Sequence, residues 1–70
     1  MDISVGDTVN WNWGNGTGTG KVTERHTSEV TRTIKGTEVT RDGNPDAPAF
    51  MIEQEDGDRV LKSSSELERA

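Results

Sequence analysis

One stretch constrains this 70-residue chain more than any other: Val5 to Val22, VGDTVNWNWGNGTGTGKV. Its first half alternates strictly, with Val9, Trp11 and Trp13 against Thr8, Asn10 and Asn12. That is the period of a strand buried on one face. Its second half carries Gly14, Gly16, Gly18 and Gly20, so the chain must turn here and return as another strand. Asn15-Gly16 suits the positive φ angles of a tight hairpin, and Gly18 and Gly20 suit a bend or bulge where backbones approach closely. Both tryptophans lie in this stretch, and Phe50 is the only other aromatic residue.

The rest of the chain reads the same way. Thr17 to Thr27 forms the return strand. Glu29-Val30-Thr31-Arg32 recurs as Glu38-Val39-Thr40-Arg41 around Lys35-Gly36, which predicts a Thr- and Val-rich hairpin; two copies of four residues are too short for a repeat architecture. Asp42 to Pro48 holds both prolines and reads as a loop. Ala49 to Glu55 is strand-like, with Phe50 and Ile52 on one face, and turns at Asp56-Gly57 into a strand over Asp58 to Lys62. The serines at 63–65 cap a single helical turn anchored by Leu67, and the last three residues are expected to fray. About five short strands with no long helix predict an all-β fold, a small and strongly bent antiparallel sheet or barrel. The whole is one domain over residues 3–68, with Met1, Ala47 and Ala70 set aside as core residues.

Composition narrows the chemistry. There is no cysteine, which removes disulfides and thiolate zinc sites. With His26 alone, a transition-metal site lacks ligands. Asp42, Asn44, Asp46 and Glu53 fall at calcium-loop spacing, but Ala47 stands where glycine is required and strands flank the loop where helices are needed. Gly20-Lys21 does not end a phosphate loop: Asn15 stands in place of the first glycine, Val22 in place of the hydroxyl residue, and a strand follows. The serines cluster at a cap, so no nucleophile–base pair emerges and the chain reads as a non-enzyme without cofactor. No basic region precedes an apolar run at the N-terminus, which predicts a cytoplasmic protein without a membrane span.

Net charge is -5, unevenly spread. Residues 1–20 contribute -2 through Asp2 and Asp7, and residues 42–70 contribute -5 through eight acids against three cations. Residues 21–41 carry +2, from Lys21, Arg25, Arg32, Lys35 and Arg41 against Glu24, Glu29 and Glu38. Two binding readings follow. In the first, Trp13 at a strand end and the acids Glu53, Asp56 and Asp58 engage a basic segment of a protein partner, by cation–π attraction and charge pairing. In the second, Lys21, Arg25, Arg32, Lys35 and Arg41 form a nucleic-acid face, whose affinity would come from displaced counterions. A third reading is a structural or stress-related small protein with no dedicated pocket. The strand from Glu29 to Ile34 offers an edge for a second copy, so the expected state is a monomer or a weak homodimer.

Taken in order, VGDTVNWNWG, EVTRTIKGTEVTR and IEQEDGDRVLKSSSEL resemble the small bacterial and fungal family of hypervirulence-associated proteins with a Tudor-like domain. The resemblance spans about Ile3 to Glu68. It implies an SH3-like, Tudor-type barrel that acts as a free-standing module, with no established enzymatic activity. Tudor-type domains generally read methylated lysine or arginine in an aromatic cage. Here Trp13 would supply one wall, and the remaining walls fall near Gly20, Glu53 and Asp56, which are not aromatic.

Overall fold

The computed structural model describes residues 3–70; Met1, set aside above as a core residue, and Asp2, counted in the N-terminal charge, lie outside them. The chain is all-β. Its strands are β1 (Thr8–Trp13), β2 (Gly16–His26), β3 (Val30–Ile34), β4 (Thr37–Arg41), β5 (Ala49–Glu53), β6 (Arg59–Ser63) and β7 (Glu68–Arg69). A single 3-10 turn, Ser64–Glu66, sits between the last two. Five strands make an antiparallel sheet in the order β6-β5-β2-β1-β7, and β3 and β4 form a separate two-stranded sheet. The outer strands β6 and β7 are the sheet's two edges and do not pair with each other.

β5 is the centre of the molecule. Phe50 and Ile52 share a face as expected, and Ala49 and Met51 on the other face are buried too, so this strand is covered on both sides. Phe50 and Ile52 join Ile3, Val9, Trp11, Val22 and Leu67 in one cluster. Ala49 and Met51 join Val30 and Leu61 in a second, with Ile34 and Val39 packed against it. The β3–β4 hairpin is thus the lid of the second cluster, while β1 and the segments bearing Ile3 and Leu67 enclose the first. A continuous apolar run is what a doubly buried strand requires.

The glycines of β2 have a different role from the one their sequence suggested. The turn itself falls at Gly14-Asn15, with Gly14 at φ 46°, the Gly-first pattern of a type II′ hairpin. Gly18 faces Trp11 across the ladder and Gly16 faces Trp13. A Cβ on Gly18 would lie 2.3 Å from Trp11 Cε2, and one on Gly20 would lie 2.6 Å from Ile52 Cγ2 and 2.7 Å from the Glu53 carbonyl oxygen. These glycines make room for the core. The bulge lies farther on, where the β2–β5 register shifts between Val22 and Glu24. An extra residue there reverses which side chains face which layer, so Val22 opposes Ile52 while Glu24 opposes Met51.

The second hairpin turns where expected, with Lys35 at φ 51° and Gly36 at φ 77°, as a type I′ turn demands. The loop from Asp42 to Pro48 is fixed locally by the Asn44 side-chain oxygen, which accepts the N–H groups of Asp46 and Ala47 at 2.9 and 2.8 Å. At the C-terminus the expected fraying is corrected. Val9 pairs with Arg69 and Asn10 with Glu68, and the Ala70 N–H donates to the Thr8 carbonyl at 3.0 Å. Leu67, 2% exposed, is the anchor that delivers β7 to this edge.

Packing orders the glycine substitutions. Gly18→Ala and Gly20→Ala should each cost about 1–3 kcal/mol by overpacking, since one meets a buried ring and the other a backbone carbonyl. Gly16→Ala should cost less, because the Trp13 ring it meets can swing into solvent. Urea unfolding followed by tryptophan fluorescence measures the order, and a Gly16→Ala cost equal to that of Gly18→Ala would contradict it.

Candidate functional site

Trp13 shares its face with Val9 and Trp11, yet its environment differs completely. Val9 and Trp11 are 0% and 5% exposed, whereas Trp13 is 59% exposed. The strand outruns the core. The indole is nevertheless seated, since a Cβ at Gly16 would lie 2.9 Å from Trp13 Cζ2. A flat aromatic surface resting on glycine is thereby presented at the hairpin end. Val5 is the other large hydrophobic residue left exposed among the described residues.

The acidic candidates gather elsewhere. Glu53 ends β5, in register with Lys21 on one side and Arg59 on the other. With Glu55, Asp56, Thr8, Thr19 and Lys21 it lines a cleft of about 730 Å³. Asp58 sits in a neighbouring groove, where its carboxylate accepts from Lys35 Nζ at 2.7 Å. That hydrogen bond, with the charge of Asp58, holds the Lys35 ammonium above its ordinary pKa. Trp13 does not join these acids. Thr8, not Trp13, is the β1 residue opposite Lys21, and five residues of strand separate the two by roughly 17 Å. Glu53 and Asp56 therefore share one cleft, Asp58 is committed to Lys35, and Trp13 stands alone at the far end of β1.

The basic candidates are dispersed. Lys21 lines the acidic cleft, and Arg25 borders a separate hollow with Asp46 and Pro48. The other three cations all lie on the β3–β4 hairpin and reach back to acids of β2, the β5–β6 turn and the 3-10 turn. Arg32 Nη2 donates to Glu24 Oε1 at 3.1 Å, Arg41 Nε donates to Glu66 Oε1 at 3.0 Å, and Lys35 pairs with Asp58. Glu24 also lies 2.8 Å from His26 Nε2. The His26 hydrogen bond, helped by Arg32 and opposed by burial, holds the Glu24 carboxyl below its usual range. These ion pairs fix where the lid sits more than how strongly it holds, because exposed pairs contribute little. Period-two alternation in VTRTI was the signal for this arrangement: Arg32 shares a face with Val30 and Ile34, and that face is inward.

Glu66 does more than complete the capped turn. Its Oε1 accepts from the Ser63 N–H and the Ser63 hydroxyl, both at 2.9 Å, and from Arg41. Lys62 Nζ lies 3.7 Å from Oε2. Burial works to raise the Glu66 pKa, but the Ser63 donors and Arg41 together outweigh it and the group titrates low. Among the described residues no cluster of three or more metal-ligating side chains occurs, no polar side chain is buried, and no helix is long and apolar enough to cross a membrane.

Compared with known families, residues 6–67 match the family described as hypervirulence associated proteins TUDOR domain. No curated protein and no solved structure gives a match.

The depressed carboxyls set an acid limb of stability. Their folded pKa values lie below the ordinary 4.5, so the unfolded chain takes up protons first. Their stabilisation is full above about pH 5 and is lost as pH falls through the folded values. Glu66→Gln should lower stability at neutral pH and make the fall between about pH 5 and 3 shallower. Urea midpoints measured across that range test this, and an unchanged acid slope in the variant would refute it.

Proposed function

The chain belongs to the family of hypervirulence associated proteins with a TUDOR domain, and from that premise we propose that it is a non-enzymatic binding module for a basic, extended segment of a protein partner. The observation that carries this reading is Trp13, a seated indole 59% exposed at a strand end. The face of an exposed indole attracts a lysine or arginine side chain by about 0.5–1 kcal/mol. Glu53 and Asp56 supply a second point of attraction at the cleft, and Asp58 contributes to the field there while paired with Lys35. A net charge of -5 favours encounter with a cationic partner.

The five-stranded sheet with its hairpin lid is, on this proposal, an open form of the SH3-like, Tudor-type barrel. Gly20, Glu53 and Asp56, the expected places for further cage walls, are not aromatic and line the cleft at the other end of β1 from Trp13, so the module reads positive charge more than methylation. The nucleic-acid reading draws less support, because Arg32, Lys35 and Arg41 are engaged with Glu24, Asp58 and Glu66.

Titration with a lysine- and arginine-rich decapeptide should move the Trp13 indole N–H resonance and the amides from Glu53 to Asp58. Trp13→Ala should weaken binding about two- to fivefold, a loss of about 0.5–1 kcal/mol, and added salt should weaken it further. No shift at either place under millimolar peptide would overturn the proposal.

A further inference from the structure

The way such a segment docks is written in the unfinished edge of β1; this step rests on the basic-partner reading and specifies its geometry. β7 covers only the start of that edge, at Val9 and Asn10. The Ala70 N–H bonds the Thr8 carbonyl in the same register, so Thr8 and Asn10 turn their main-chain groups toward β7. In an antiparallel ladder these roles alternate, which makes Asn12 the next residue to face outward. The two-residue hairpin agrees. Its closing pair, Trp13 with Gly16, exchanges hydrogen bonds within the hairpin, so the odd-numbered residues of β1 bond β2 and the even-numbered ones turn away.

Continued without a break, β7 would set Glu66 opposite Asn12. Glu66 lies instead in the 3-10 turn, held there by Ser63 and Arg41. Among the described residues, the Asn12 N–H and C=O therefore meet no neighbouring strand. Between Asn10–Asn12 and Ser65–Glu68 lies a hollow of about 460 Å³. An open donor and acceptor beside a hollow, in line with a strand already docked, form a template for another strand.

We infer that the basic segment adds to β1 as a strand, bonding its backbone to Asn12 in continuation of β7. This places one of its side chains directly across from Trp13, within the roughly 4.5–5.5 Å typical of facing Cβ atoms, so that a lysine or arginine there lies against the indole. Glu68, exposed at the end of β7, favours a cation at the other end. A second copy of the chain fits poorly as the occupant, because it would bring another -5 of charge to the same edge.

The test uses an octapeptide of alternating lysine and valine. Asn12→Ala removes the side chain and keeps the N–H; Asn12→Pro removes the outward N–H and spares the bonds to β2. The expected result is that wild type and Asn12→Ala bind alike within about twofold, and Asn12→Pro binds about three- to tenfold more weakly, the range that one hydrogen-bonded contact supplies. If Asn12→Pro does not fold, two peptides N-methylated on opposite sets of alternate amides decide the question with wild type. One should lose binding and the other keep it. Equal binding by the two methylated peptides, or by folded Asn12→Pro and Asn12→Ala, overturns strand addition and leaves the basic-partner reading standing. Absence of any binding by wild type overturns both. Dimerisation that protects the Asn12 amide from hydrogen exchange without peptide overturns the assigned occupant in favour of a second copy.

Discussion

The structure depends on the burial of β5 from both sides. Four consecutive residues, Ala49 to Ile52, leave the solvent, and a 70-residue chain has few elements with which to cover two faces. It uses nearly all of them. β1, β2 and the segments bearing Ile3 and Leu67 close over Phe50 and Ile52, and the β3–β4 hairpin closes over Ala49 and Met51. Small domains are marginal because so much of their surface remains wet. Splitting the apolar residues between two clusters that share one strand lets each covering element act on a strand already fixed by its other neighbours.

The same economy explains the composition of β1 and β2. A tryptophan needs space, and here the space comes from removing side chains on the partner strand: Gly18 beneath Trp11 and Gly16 beneath Trp13. Trp11 becomes core and Trp13, two residues on, becomes surface, because the clusters end between them. The candidate recognition residue is thus the continuation of a core pattern past the end of the core. A rigid hairpin holds it there, and the glycine beneath it keeps the ring close to the sheet.

Charge organises the second layer. The three cations of the β3–β4 hairpin each meet an acid outside it, so the hairpin's positive charge is balanced by neighbouring elements and no broad basic face results. Among the described residues, Glu53, Glu55 and Asp56 near the β5–β6 turn, Glu68 of β7, and Glu29, Glu38, Asp42 and Asp46 take part in no ion pair, which is why the molecule presents itself to partners as negative. Glu66 links this layer to the edge of the sheet. By holding Arg41 and Ser63 it keeps the chain in a 3-10 turn, delays the start of β7, and leaves the end of β1 uncovered.

The sequence by itself determined the strands. Alternation in TVNWNW, the hairpin at Lys35-Gly36, the turn at Asp56-Gly57 and the Leu67 anchor are local patterns, and local patterns follow from backbone geometry and the period of side-chain exposure. Alternation in VTRTI likewise puts Arg32 on the same face as Val30 and Ile34. What only the tertiary structure decided were relations between distant segments. The second buried face of β5 depends on a hairpin that closes from elsewhere in the chain. The bulge before Glu24 reverses the facing of side chains and appears only in the β2–β5 register. The separation of Trp13 from Glu53 and Asp56 comes from β5 pairing with the far half of β2. The pairing of β7 with β1 overrode the tendency of a short terminal segment to fray, because Leu67 is buried and carries the residues after it to an open edge. Each depends on which strand lies next to which, and a period of two specifies faces but not neighbours.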